Sequence, residues 1–349
     1  MVSTHNDTGN LTGALGYAMV YEYLFIQPVT YVNGAPWKLW FHFVTTLIII
    51  VLGLISNPLA LMIMTSQRMR KHTYSVYLTA LSVCDLGNIV TRLIFWINLV
   101  SVLVTGRITI RITNVYTCRI TMYACYLLMV ESSWLVTILS VERLIVVCFP
   151  IVGRFLYSRK NAIIVTLCTV MAGVFIHIDS LFPPFRHFYV DGLGCVSDKA
   201  SKKSHTLKAI TLAMFCPLLI IITCNAMIMV SLTRRRVTVA GKIHKRQVRQ
   251  VTKLLLVVTI TFVVCLIPNA CVFISIAIRP DSPINVIRPV TNFLMDVNFS
   301  VNVFIYIGTS KEVRAVLKGW LDRSVGYLFH SYNSDSSGSN VSNRQLDRY

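Results

Sequence analysis

The stretch "ILSVERLIVVCFP", residues 138–150, sets Glu142 and Arg143 side by side in a run that is otherwise almost wholly apolar. A full charge held in hydrocarbon costs roughly 3 kcal/mol on insertion scales, so the pair must be compensated there or must sit at an edge. The rest of the chain has the same apolar character. Of its 349 residues, 55% are hydrophobic and 13% charged, whereas a soluble domain carries about a quarter charged residues. Apolar stretches fall at 40–64, 74–104, 115–141, 161–182, 206–232, 251–278 and 287–308, each long enough for the roughly 20 residues that a spanning helix needs. This pattern predicts an all-α membrane protein, a seven-transmembrane helix bundle. The second and seventh spans are the weakest, because Asp85, Arg92 and Asp296 interrupt them.

Lys and Arg in short connections set the orientation. Arg68, Arg70 and Lys71, then Arg154, Arg159 and Lys160, then "RRRVTVAGKIHKRQVRQ" at 234–250 fall on one side, and the positive-inside rule makes that side cytoplasmic. Seven spans then put the N-terminal segment 1–39 outside and the tail 322–349 inside. With no basic leader or cleavage site at its start, the chain is expected to use its first span as an uncleaved signal. Asn6 and Asn10 each open an N-x-[ST] glycosylation sequence in the outer segment, which agrees with the charge rule.

The net charge of +19 raises a nucleic-acid reading, which is rejected because the basic residues cluster where a bilayer's anionic inner leaflet attracts them. On the outer side Arg107, Arg111, Arg186, Lys199, Lys202, Lys203 and Arg279 outnumber Asp191, Asp198 and Asp281, a field that steers acidic ligands inward. Eight of the ten cysteines lie in or beside apolar spans, where Cys behaves as a small hydrophobe. Cys118, at the outer start of the third span, and Cys195, in "DGLGCVSDK", are placed to pair in an oxidising compartment. No cysteine spacing suggests zinc.

With the third span starting near Cys118, Glu142 and Arg143 come about 25 residues later, roughly 37 Å along a helix. That is the cytoplasmic end, where the pair is half-solvated and faces other helices.

In order along the chain, Asn57 in "GLISNPLAL", Asp85 in "LTALSVCDL", Glu142-Arg143-Leu144, Pro217 in "FCPLLI", "CLIP" at 265–268 and "NVFIY" at 302–306 resemble the span-by-span motifs of the rhodopsin-like, class A G-protein-coupled receptors, over roughly 40–321. The chain departs from the pattern at Leu266, where the family has a toggle Trp, at Val303 for the seventh-helix Pro, at Asn225 for the fifth-helix Tyr, and at Cys168 for the fourth-helix Trp.

The resemblance implies a plasma-membrane receptor that binds an extracellular ligand and activates a heterotrimeric G protein when the sixth helix swings outward. Such a ligand must bind the open state better than the resting one. The implied switch residues are Glu142, Arg143, Thr252, Pro268, Asn302 and Tyr306. Pro268 kinks the moving helix by removing a backbone hydrogen bond. Many relatives lock the motif Arg with a sixth-helix acid, but counting back from Pro268 puts Val248 there, so a Thr252 hydroxyl contact to Arg143 is expected instead, with appreciable basal signalling. Asp85, Ser132, Asn298 and Asn302 fall by family register on facing turns; sodium is the implied occupant, and a protonated Asp85 bonded to the two Asn side chains is the alternative.

Asp296 stands where opsins carry their Schiff-base Lys, and Cys125 where amine receptors carry Asp, so a light receptor and an amine receptor are both disfavoured. The implied ligand pocket is lined by Arg92, Cys125, Tyr126, Met129, Asn269, Phe273 and Asp296. Arg92 and Asp296 form either a buried ion pair or a ligand clamp, or both if ligand entry breaks the pair. The sequence is similar to invertebrate neuropeptide receptors of the FMRFamide-receptor type, which makes a peptide the favoured ligand. A small-molecule, lipid or chemosensory receptor and a non-coupling decoy are the alternatives.

Outside the receptor class, a transporter would show internal repeats, and an enzyme a constellation such as HExxH or GxSxG; neither is present in the sequence. After the last span, "SKEVRAVLKGWL" places Val313, Val316, Leu317, Trp320 and Leu321 on one face, predicting a short amphipathic eighth helix over 309–321 on the inner leaflet. The tail, rich in Ser and Asn, reads as disordered, with Ser334, Ser336, Ser337 and Ser339 as candidate sites for a receptor kinase and arrestin.

Overall fold

The computed structural model describes residues 36–105, 115–156, 158–182, 187–190, 194–197, 207–234, 242–279 and 283–323. Helix α1, Pro36–Thr65, opens on a proline, whose fixed φ and missing N–H suit the first helical position. A 3-10 turn at Met69–Lys71 leads into α2, Tyr74–Thr105. Helix α3 covers Val115–Cys148, and after a short helix at Pro150–Leu156 comes α4, Arg159–His177. The start of α4 is capped by Ser158, whose side chain accepts from the Asn161 N–H at 3.1 Å.

A β-hairpin follows, β1 at His187–Val190 against β2 at Gly194–Ser197, with Tyr189 opposite Cys195. It is the one departure from an all-α architecture among the described residues. A π-helical segment, Ala209–Phe215, runs straight into α5, Cys216–Arg234. Helix α6 spans Lys242–Ile278 with Pro268 inside it, and α7 spans Arg288–Thr309. Helix α8 occupies 311–323.

Six of these helices, α1 and α3 through α7, are long and apolar enough to cross a membrane. The remaining long helix, α2, carries Asp85, Asn88 and Arg92 in its middle turns. Helix α3 runs two turns past the expected 141, because Leu144, Ile145, Val146 and Val147 continue the apolar run, so Glu142 and Arg143 lie inside the helix. Helix α6 begins well before the expected 251, since the basic run 242–250 holds Lys, Arg and Gln, all good helix formers. Helix α4 gives way to 3-10 geometry at Ile178–Leu181, ahead of the expected 182.

Helix α3 is the axis of the bundle, packing against α2, α4, α5 and α6, while α1 bridges α2 and α7, and α7 packs on α6. It is accordingly the most enclosed span, and α4 the least. Close approach depends on small residues, as in other membrane bundles. A Cβ at Gly53 would meet Ile89 of α2 at 2.5 Å, and one at Gly173 of α4 would collide with the Glu131 carboxyl of α3.

Ser310 ends α7 in an extended conformation, its N–H still bonded to Tyr306 O, and its hydroxyl caps α8 by accepting from Val313 N–H at 3.3 Å. Val313 and Val316 are buried, with Leu317 and Trp320 against the same core, while Leu321 and Lys311 are exposed. Helix α8 thus turns its apolar face onto the bundle. The sequences of Asn6, Asn10 and the tail serines fall outside the described residues, as do the side chains of Cys118, Cys195 and Val248.

Candidate ligand-binding and switch residues

Three polar layers run through the bundle. At the end where the basic connections meet, Arg143 is 3% exposed and its Nη2 donates to Glu142 Oε1 at 3.0 Å. The Arg143 guanidinium lies over the Tyr74 ring, 5.7 Å from its centroid, and Tyr77 lies beside Glu142. The Thr252 hydroxyl is buried and makes no hydrogen bond, so the expected Thr252–Arg143 contact is not formed. Thr252 is buried at 1% exposure, and a hydroxyl one carbon from the backbone has a short reach. Instead α6 is tied to α5: Asn225 Nδ2 donates to Thr259 Oγ1 at 2.9 Å, and Thr259 Oγ1 can return to Asn225 Oδ1 at 3.2 Å.

Just outside the span, His72 stacks on Tyr74 with centroids 5.1 Å apart. Partial burial holds the His72 imidazole below its ordinary pKa; the Arg143, Arg68 and Lys71 charges push the same way, and Glu312 opposes them. Glu312 of α8 pairs with Arg68 at 2.5 Å across an exposed gap.

The middle layer surrounds Asp85, which is fully enclosed. Ser132 Oγ donates to Asp85 Oδ1 at 2.6 Å, and Asn302 Nδ2 donates to Oδ2 at 2.7 Å and to Asn298 O at 3.2 Å. Asn57 Nδ2 donates to Phe299 O at 2.8 Å, tying α1 to the same stretch of α7. The hard oxygens of Asp85, Ser132, Asn298 and Asn302 are of a kind that suits sodium. In this arrangement each Asp85 oxygen accepts one side-chain hydrogen bond, from Ser132 and from Asn302. No group of three or more His, Cys, Asp or Glu among the described residues could hold a metal. Tyr306, one turn beyond Asn302, is fully buried and its hydroxyl makes no hydrogen bond.

The third layer lies toward the hairpin. Arg92 Nη2 of α2 and Asp296 Oδ1 of α7 form an ion pair at 2.8 Å, with Cys125 of α3 close to Arg92. Asn269 Nδ2 of α6 donates to Asn292 Oδ1 of α7 at 2.7 Å, and the Arg288 guanidinium lies 5.2 Å from the Phe273 ring centroid. Tyr126 turns the other way and stacks on His177 of α4, with centroids 6.4 Å apart. Met129 sits in the apolar core. Leu266 and Val303, in place of the toggle Trp and the seventh-helix Pro, are also buried there.

Sequence reasoning missed three residues. Arg288 and Asn292 join Asp296 at four-residue spacing, one polar line down α7, and that spacing was legible. Glu131 is 3% exposed with Oε2 lacking a hydrogen-bond partner. It stands in the same apolar span as Glu142 and was overlooked because no motif includes it.

A family model described as 7 transmembrane receptor (rhodopsin family) matches residues 56–306, well over half of the chain. The chain belongs to that family: it is a class A G-protein-coupled receptor, a multi-pass membrane protein of a receptor family whose members are generally not enzymes.

Proposed function

We propose that the chain is a plasma-membrane receptor, N-terminus outside, that binds an extracellular peptide at its hairpin end and activates a heterotrimeric G protein when α6 moves outward. The observation that carries this reading is the enclosed Glu142–Arg143 pair on α3, at the basic end of the bundle and beside a sixth helix that contains Pro268. A charged switch held inside a cleft can turn to a partner only when the cleft opens. Favouring a peptide over a compact ligand is the line Arg288, Asn292 and Asp296, which spans about 12 Å of helix and would serve an extended ligand able to displace their partners within the bundle. The Arg92–Asp296 pair adds a clamp: a cationic ligand group would take Asp296 and a carbonyl or carboxylate would take Arg92.

Sodium at Asp85 belongs to the same reading, as does tail phosphorylation by a receptor kinase followed by arrestin binding. Agonist affinity that differs between NaCl and choline chloride supports the ion; equal affinity supports a proton. The main experiment is Gα dissociation in cells challenged with short amidated peptides, amines and lipids, with Arg143→Ala in parallel. A peptide response abolished by that change is expected. Silence to every ligand, with surface expression intact and basal signal equal to the mutant's, overturns the reading and favours a decoy, for which buried Leu266 and Val303 are the relevant departures.

A further inference from the structure

The contacts described for Arg143 come from α3 and α2. Glu142 neutralises its charge from the adjacent position on the same helix, and Tyr74 places an aromatic face under its guanidinium. A guanidinium over a ring is held by the ring's quadrupole, and more firmly when water is excluded; Tyr74 is 1% exposed and Arg143 3%. The ring is itself fixed. Tyr74 is the first residue of α2, His72 stacks on its ring, and the entry to the helix is closed by Ser75 Oγ donating to His72 O at 2.7 Å and Val76 N–H donating to Thr73 O at 3.0 Å. The hydroxyl of α6 expected to restrain Arg143 does not engage it, and α6 is bonded to α5 through Asn225 and Thr259.

We infer that Tyr74 is the resting seat of Arg143, a positioning residue on α2 that holds the guanidinium in place. The inference rests on the signalling reading above for its consequence, though not for its geometry. Opening α6 uncovers the cleft, but Arg143 reaches a partner only by leaving the ring. Tyr74 therefore sets basal signalling, and a ring of either kind should suffice.

The test compares Tyr74→Leu, which removes the ring, with Tyr74→Phe, which keeps it, at matched surface expression. Basal Gα dissociation is expected to rise about three- to tenfold in Tyr74→Leu and to stay at the wild-type level in Tyr74→Phe. Misfolding lowers signal, so a rise rescued by Phe does not come from damage. A second readout needs no coupling: a bimane label at Lys253→Cys on α6 in purified receptor, with the exposed Cys168 and Cys271 changed to Ser. Tyr74→Leu should shift its emission, and Tyr74→Phe should not. An emission shift without coupling in any variant sustains the seat and removes the G-protein reading. Unchanged emission, or Phe and Leu behaving alike, overturns the seat.

Discussion

Among the described residues two ion pairs lie inside the bundle, and they are built in opposite ways. Glu142 and Arg143 are neighbours in sequence on α3. Arg92 and Asp296 join α2 to α7 across most of the chain at 2.8 Å. The Glu142–Arg143 bond itself joins no two helices, whereas the Arg92–Asp296 bond does. A pair within one helix is suited to a side chain that must turn, and a pair between helices to a joint that must hold until something displaces it.

Breaking the cross-helix pair should therefore have the largest effect. Asp296→Ala removes the carboxylate that Arg92 pairs with and should cost up to about 3–5 kcal/mol, read as a drop in thermal stability of purified receptor. Arg92→Leu with Asp296→Leu should recover most of it. Glu142→Gln should cost distinctly less stability while raising basal signalling; equal losses at the two sites would erase the contrast.

Gly173→Ala sharpens the point for a group with no ionic partner. The added methyl drives into the Glu131 carboxyl, and overpacking of this kind costs about 1–3 kcal/mol. Glu131→Ala in the same chain should relieve it, and a strictly additive double mutant would refute the contact. Next in size is Thr259→Val, which removes the bond to Asn225 and should cost about 1 kcal/mol. It should also loosen α6 from α5, seen as faster hydrogen exchange along α6.

His72 provides a pH-dependent case. Its folded-state pKa is lowered, so the stability it contributes is full above its ordinary value of about 6.5 and declines as pH falls from there toward the folded value. Acid titration of the purified receptor should show this loss, and His72→Gln should remove that component. The smallest effect should come from Arg68→Ala, which breaks an exposed pair with Glu312 worth about 0–1 kcal/mol. A larger loss would mean that α8 depends on that contact.

Much of this was readable from residue order. Apolar length, basic connections and the ordered motifs define a helical membrane bundle because hydrocarbon forces backbone polar groups to be satisfied within each helix. Where Asp85 meets Ser132 and Asn302 was legible through motif register, since those positions recur at fixed places on their helices. The Thr252 contact failed because register fixes which turn a residue occupies, not whether a short hydroxyl reaches across an interface. The hairpin was missed because its strands are four residues long, too short to carry a clear alternation.

By itself, then, the sequence determined the class of the fold, the apolar spans and the basic end. Tertiary structure alone decided that Arg143 rests on Tyr74, that Asn225 ties α5 to α6, and that Glu131 lies against Gly173. Each is a contact between helices whose rotation and spacing depend on packing over the whole bundle, and no local stretch encodes such contacts.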